Sequence, residues 1–171
     1  MIMNQFINTI GFKPTDKRMK IGQNDEIMII DPGYDDDVIY MTTADNLLPG
    51  KYELYVSKNR THTRVISSLL VHNDYTNKAF NDHIENGMIG VDSGLAGYFI
   101  NKPNFNDKEW KEFIDDYITN DAKEQIYECP WGVFTNTGYG DGLYEVWKIK
   151  DEDINKVIGL SLIFMDQDEY E

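Results

Sequence analysis

Cysteine is almost missing from this sequence. Cys129 stands alone, so no disulfide can close within the chain, and a disulfide-stapled scaffold is excluded. It sits in Glu128-Cys129-Pro130-Trp131, beside an acid and no base. That setting disfavours a thiolate and points to an inert thiol. Positive charge is scarce too: 16 Lys and Arg stand against 30 Asp and Glu, a formal net charge of −14. Phosphate backbones and anionic membrane surfaces repel such a chain, so direct binding to nucleic acid or to a membrane is not expected. Long apolar runs are absent as well. None approaches the ~18 residues of a spanning helix, and no basic-plus-apolar leader opens the sequence. Cytoplasmic residence is the expectation. The three histidines offer little to a metal. His62 and His72, on one strand, would stand about 30 Å apart at ~3.3 Å per residue.

What is present is enough for a folded core. Of 171 residues, 41% are hydrophobic and 13% aromatic, a composition that buries apolar surface rather than remaining disordered. The length fits one domain over 1–171.

Two glycine-flanked stretches organise the chain. Ile89-Gly90-Val91-Asp92-Ser93-Gly94-Leu95 breaks a β-forming run with a turn, and Val133 to Trp147 does the same around Gly138-Tyr139-Gly140-Asp141-Gly142. Asp, Ser and Gly are turn formers, and Asp141-Gly142 is the pair a tight hairpin prefers. The second run lacks the Lys-Ser/Thr ending of a phosphate-binding loop.

Around them the pattern is mostly β. Glu26 to Asp31 reads as a short buried strand closed by Pro32-Gly33. Lys51 to Ser57 alternates apolar and polar, and Thr61 to Asn73 is rich in β-branched residues; together they read as an antiparallel hairpin. Val157 to Phe164 is apolar nearly throughout, the mark of a strand covered on both sides. Helical spacing appears at Met1 to Ile10, at Asp74 to Asn86, and most clearly at Asn106 to Thr119, where Trp110, Phe113, Ile114, Tyr117 and Ile118 form one stripe. A second short helix is expected over Asp121 to Tyr127. Phe12 to Asn24, polar and basic, reads as a solvated loop, and Asp166 to Glu171 as an acidic tail. The expected fold is α+β: mainly antiparallel sheet, roughly seven to nine strands, with one main amphipathic helix over about 106–119 and one or two short helices packed on it.

The pairing of Val91-Asp92-Ser93-Gly94 with Gly138-Tyr139-Gly140-Asp141-Gly142-Leu143-Tyr144, followed by a closing apolar strand, resembles an uncharacterised family of bacteria and phages, a domain of unknown function. The Pro49-Gly50-Lys51-Tyr52 strand start is also similar. Where the family commonly has a polar residue after the first motif's glycine, this chain has Leu95. The resemblance implies a compact cytosolic domain, in a bacterium or in a phage-infected host cell, and no particular chemistry.

Two functions compete. The first is a non-catalytic acidic protein that blocks another macromolecule, of the toxin-immunity or phage anti-defence type, with a surface that could mimic nucleic acid. Its partner would be a protein with a basic surface. Its contact residues would be Asp35, Asp36, Asp37, Asp92, Ser93, Tyr139, Asp141, Tyr144, Asp151, Glu152 and Asp153, and no cofactor or metal is expected. Acidic surface speeds association with a basic face, and tyrosine, of which there are 11, is enriched at interfaces. The second is a small hydrolase or ligand-binding domain in which Asp92 and Asp141 converge, with His83 as a third candidate. Two nearby carboxylates can divide acid and base roles or hold a cation. The spacing of Asp35-Asp36-Asp37 does not match the alternating ligands of an EF-hand loop.

Overall fold

The computed structural model describes residues 12–76, 83–118 and 124–164. Among them are eleven strands and one α-helix: β1 (Lys13–Ile21), β2 (Ile27–Ile30), β3 (Thr42–Ala44), β4 (Gly50–Lys58), β5 (Val65–His72), β6 (His83–Val91), β7 (Leu95–Phe99), α1 (Asp107–Tyr117), β8 (Ile126–Cys129), β9 (Gly132–Asn136), β10 (Gly142–Asp151) and β11 (Lys156–Ile163). One sheet has the order β1-β4-β5-β11-β10-β6 and the other β3-β2-β7-β9-β8. Every ladder in both is antiparallel. The expected α+β class, antiparallel sheet with one main helix, is what the chain adopts, with eleven strands among the described residues in place of the roughly seven to nine expected, since short and edge strands such as β1, β3 and β8 carry little periodicity of their own.

Two sheets that each have an apolar face must bury those faces together. In β4, Tyr52, Leu54 and Val56 turn inward, and Lys51, Glu53 and Tyr55 turn away. Leu70, Ile89, Val91, Val146, Leu160 and Leu162 join them from the six-stranded sheet; Ile27, Ile29, Ala96, Tyr98 and Val133 face them from the five-stranded one. A buried polar pin crosses this layer, where the Tyr98 hydroxyl meets Ser68 Oγ at 2.9 Å. Burial holds the Tyr98 phenol far above its ordinary pKa, so it stays a neutral hydrogen-bonding group.

The outer faces differ. Leu69, Val71, Ile149, Ile158 and Phe12 make a small cluster behind the six-stranded sheet. That is why β5 is buried at every position and β11 at all but its ends: both are central strands covered on both sides. The five-stranded sheet carries α1 on its outer face. Asn106 caps the helix, its side chain accepting from Glu109 N while Glu109 reaches back to Asn106 N, a reciprocal capping box. The aromatic stripe then lands on the sheet. Phe113 stacks on Phe134 at 5.5 Å, with Trp110 at 5.5 Å and Tyr117 at 5.1 Å from Phe113.

Four local expectations are corrected. Residues 13–21 form strand β1 rather than a solvated loop. An edge strand needs one ladder and little apolar alternation, and β4 supplies that ladder, with Thr15 Oγ1 donating to Leu54 O at 2.8 Å. Of the helix expected over 74–86, the described residues show a 3-10 turn at Asn73–Tyr75, while His83 to Asn86 belong to β6. Pairing with β10 wins over the helical spacing there. Ile126 and Tyr127 belong to β8, paired with β9, not to a second helix. Finally, Asp141-Gly142 closes no hairpin, because β9 and β10 lie in different sheets. The helix expected over 1–10, the tail at 166–171, residues 77–82 and 121–123 of the expected short helices, and Thr119 at the end of the expected main helix lie outside the described residues.

Candidate functional site

The two glycine-flanked stretches are the places where the chain passes from one sheet to the other. Residues 92–94 lead from β6 to β7, and residues 137–141 lead back from β9 to β10. Because β6 pairs with β10 and β7 with β9, the crossings lie side by side. Thr137 N donates to Gly94 O at 3.0 Å. At Gly138, φ is 73° and Tyr139 N donates to Thr137 O at 2.8 Å, a γ-turn suited to glycine. Thr137 Oγ1 and the Tyr144 hydroxyl both donate to Gly140 O, at 2.7 and 2.8 Å. Tyr144 is buried and acts as a strut for this loop, not as part of an open surface.

Asp31 ties the first crossing down. It ends the apolar run of β2 and is fully buried. Its Oδ1 accepts from Gly33 N at 2.9 Å and from Ser93 Oγ at 2.5 Å; its Oδ2 accepts from Asp92 N at 2.8 Å and Ser93 N at 2.7 Å. A buried carboxylate needs such donors to be tolerable. Ser93 is thereby explained as a structural contact. Sequence reasoning passes over Asp31 as an ordinary Asp-Pro-Gly turn residue; the one available signal is a carboxylate directly following a buried strand.

Asp92 points to solvent and accepts a short hydrogen bond from the Tyr34 hydroxyl. That bond to the carboxylate, together with burial and the nearby charges of Asp92, Asp31 and Asp141, pushes the Tyr34 phenol up to about 12. Asp92 alone bonds this hydroxyl, with Asp141 acting on it through charge only; both carboxylates are exposed. The interaction is readable by carbon NMR of labelled tyrosine rings. Tyr34, assigned through Tyr34→Phe, is expected to titrate near pH 12 and to fall back toward 10 in Asp92→Asn, since the amide keeps an acceptor oxygen but loses the negative charge that disfavours the phenolate. An unchanged titration in Asp92→Asn would rule the contact out in solution.

The remaining expected residues are divided between the two ends of the sandwich. Asp35 is half-buried, and Asp36 and Asp37 are exposed on the loop beside this end of the sandwich. Beneath them lies Lys102, buried, with Nζ donating to Pro103 O at 2.8 Å and lying 4.8 Å over the Phe105 ring. Burial lowers the Lys102 ammonium's pKa, and Asp35, Asp31 and Asp36 oppose that shift. The loop therefore carries one buried cation against its acids. Asp151, Glu152 and Asp153 sit at the far end of β10, about 30 Å from Gly142 at ~3.3 Å per residue. There Asp151 accepts from Asp153 N at 3.0 Å and from the Tyr75 hydroxyl at 2.9 Å. His83 opens β6 and Asp92 follows its end, so the structure separates His83 from Asp92 by a similar distance. Tyr139 is half-exposed and lies under Arg64, whose guanidinium carbon is 4.6 Å from the ring centre and whose Nη1 donates to Gly138 O at 3.2 Å. Nothing in the sequence pattern marks Arg64. Burial raises the Cys129 thiol's pKa, the reverse of activation. Among the described residues no three His, Cys, Asp or Glu side chains are grouped to hold a metal ion, and no helix is long and apolar enough to cross a membrane.

Two surface features meet at the crossings. On one side a groove of about 1020 Å³ runs between α1 and the glycine loops, lined by Tyr34, Arg64, Ser93, Trp110, Tyr127 and Gly138 among others. On the other side, the outer face of β6 and β10 leaves large apolar side chains in solvent: Met88 and Leu143, with Val38 and Tyr40 from the neighbouring loop. No family model, curated protein or solved structure matches this chain.

Proposed function

We propose that this chain is a non-catalytic acidic protein that binds and blocks another macromolecule through a basic surface of that partner, in the manner of a toxin-immunity or anti-defence protein. One observation carries the reading. The exposed carboxylates Asp36, Asp37, Asp92 and Asp141 gather at the end of the sandwich where apolar side chains also face solvent, and acid at an apolar rim both steers and selects a cationic partner. The acids at 151–153, at the opposite end, lie outside this contact.

The test uses the partner recovered by affinity capture from the native cell. Asp36→Lys with Asp37→Lys is expected to slow association about tenfold at low salt, the difference closing as ionic strength rises. Asp92→Asn, which removes only one of these charges, should slow association by much less than the double reversal and should not abolish blocking. Association that ignores the charge reversal at low salt would sink the reading.

The groove favours a second reading, a small-ligand domain, since aromatic walls with a few polar groups are typical of such sites. Under it Asp92→Asn removes activity while the charge reversal does not, so one pair of variants separates the two.

A further inference from the structure

We infer that the outer face of β6 and β10 next to the crossings is the docking face, and that its occupant is a protein segment with apolar anchors flanked by Lys or Arg. This rests on the reading of the chain as a binding protein and assigns that function to a specific surface.

The geometry is set by the ladder. Gly90 faces Leu143 and Met88 faces Glu145. Since Ile89, Val91, Tyr144 and Val146 point into the core, Met88, Leu143 and Glu145 must point out. The 38–42 segment lies along the open edge of β6, where Gly90 N donates to Tyr40 O at 2.9 Å and Thr42 Oγ1 donates to Met88 O at 2.9 Å. A side chain at Gly90 would meet Ile39 at 3.2 Å and Tyr40 at 3.6 Å. Tyr40 and Leu143 therefore flank the same glycine. Their exposures are 75% and 61%, with Val38 at 67% and Met88 at 42%. Four of the six large hydrophobic residues found exposed among the described residues sit here, whereas Ile154 is at the other end of β10.

Charge decides between occupants. Asp36 and Asp37 precede Val38, Asp141 precedes Gly142, Asp92 follows Val91, and Glu145 stands opposite Met88; all five are exposed. A rim of one sign around an apolar centre repels a second copy of a chain with net charge −14. The same rim complements a cationic one. A central apolar group within a polar rim is also how binding energy is distributed in protein interfaces.

The test is photo-crosslinking with the full chain in the cell that naturally makes it. A benzophenone amino acid replaces Tyr40 or Leu143, with Ile154 as the control position. Expected are adducts from positions 40 and 143, none from 154, and a linked segment with net positive charge. In parallel, Tyr40→Ser and Leu143→Ser should each raise the dissociation rate of the captured partner about tenfold or more with the melting temperature unchanged. Adducts to a second copy of this chain, adducts to an acidic segment, or equal yield from position 154 would overturn the assignment. If a partner associates with salt-dependent rates but positions 40 and 143 give no adduct, this face is wrong and the blocking function stands. If no partner is captured from any position, both fail.

Discussion

Asp31→Ala is expected to lose about 3–5 kcal/mol of folding stability, the loss typical of a buried charged hydrogen-bond centre taken apart. The carboxylate is fully buried and receives four donors, three backbone N–H groups and the Ser93 hydroxyl. Alanine removes the acceptor from four part-buried donors and leaves a gap where a fully buried carboxylate stood, so part of their desolvation penalty appears together with the lost charged hydrogen bonds. In a domain of this length a change of 1 kcal/mol moves the melting temperature by roughly 2–4 °C, so a drop of about 10 °C should be seen in a thermal melt followed by circular dichroism. Asp31→Asn is a sharper probe. It keeps the shape and one oxygen, but its amide places a donor against other donors on one side. A loss of about half that of alanine is expected. A melt of Asp31→Ala within a degree or two of the parent would show that the crossing does not depend on this carboxylate.

Gly138→Ala should cost about 3 kcal/mol or more, and Gly140→Ala only about 1 kcal/mol. Both positions have positive φ, 73° and 88°, so both pay the backbone penalty of an L side chain. They differ in space. A Cβ on Gly138 would lie 2.2 Å from Val65 O, a backbone atom that cannot swing away, whereas one on Gly140 meets nothing within 4 Å. The difference between the two variants therefore isolates the steric contribution of the crossing pressed onto β5. Urea unfolding with an unchanged slope measures it. Equal losses would mean that the 137–141 loop does not rest on Val65.

Much of the architecture is legible in the chain because it rests on local periodicity. The apolar alternation of Tyr52, Leu54 and Val56, the unbroken apolar run at 157–164 and the stripe from Trp110 to Ile118 each specify an element and its buried face. All three appear where expected. Elements with weak periodicity are misread. Residues 13–21 have polar spacing and become a strand through β4 alone. Residues 126–127 continue a helical pattern yet pair with β9. In each case a ladder formed with distant sequence overrides a weak local preference.

The candidate site divides in the same way. Asp92, Ser93, Tyr139 and Asp141 are visible as polar residues beside glycines, and the crossings do bring their loops together. Asp31, Tyr34 and Arg64 are not visible, because each acquires its role from a partner 58 or more residues away in sequence: Asp31 and Tyr34 from the 92–93 turn, and Arg64 from Gly138 and Tyr139.

Composition and spacing alone determined that this chain is acidic, without internal disulfides, rich in antiparallel strand and carrying one amphipathic helix. Each of these follows from side-chain chemistry read one or a few residues at a time. Only the tertiary structure decided that the Asp-Gly turns carry the chain between two sheets instead of reversing it within one. A turn's φ angles and its Asp and Gly preferences are the same in both cases. What differs is where the departing strand finds hydrogen-bond partners and an apolar face to cover. Here β10 found them on β6 and β11, away from β9, and that choice placed Asp31 under Asp92 and left Tyr40 and Leu143 in solvent.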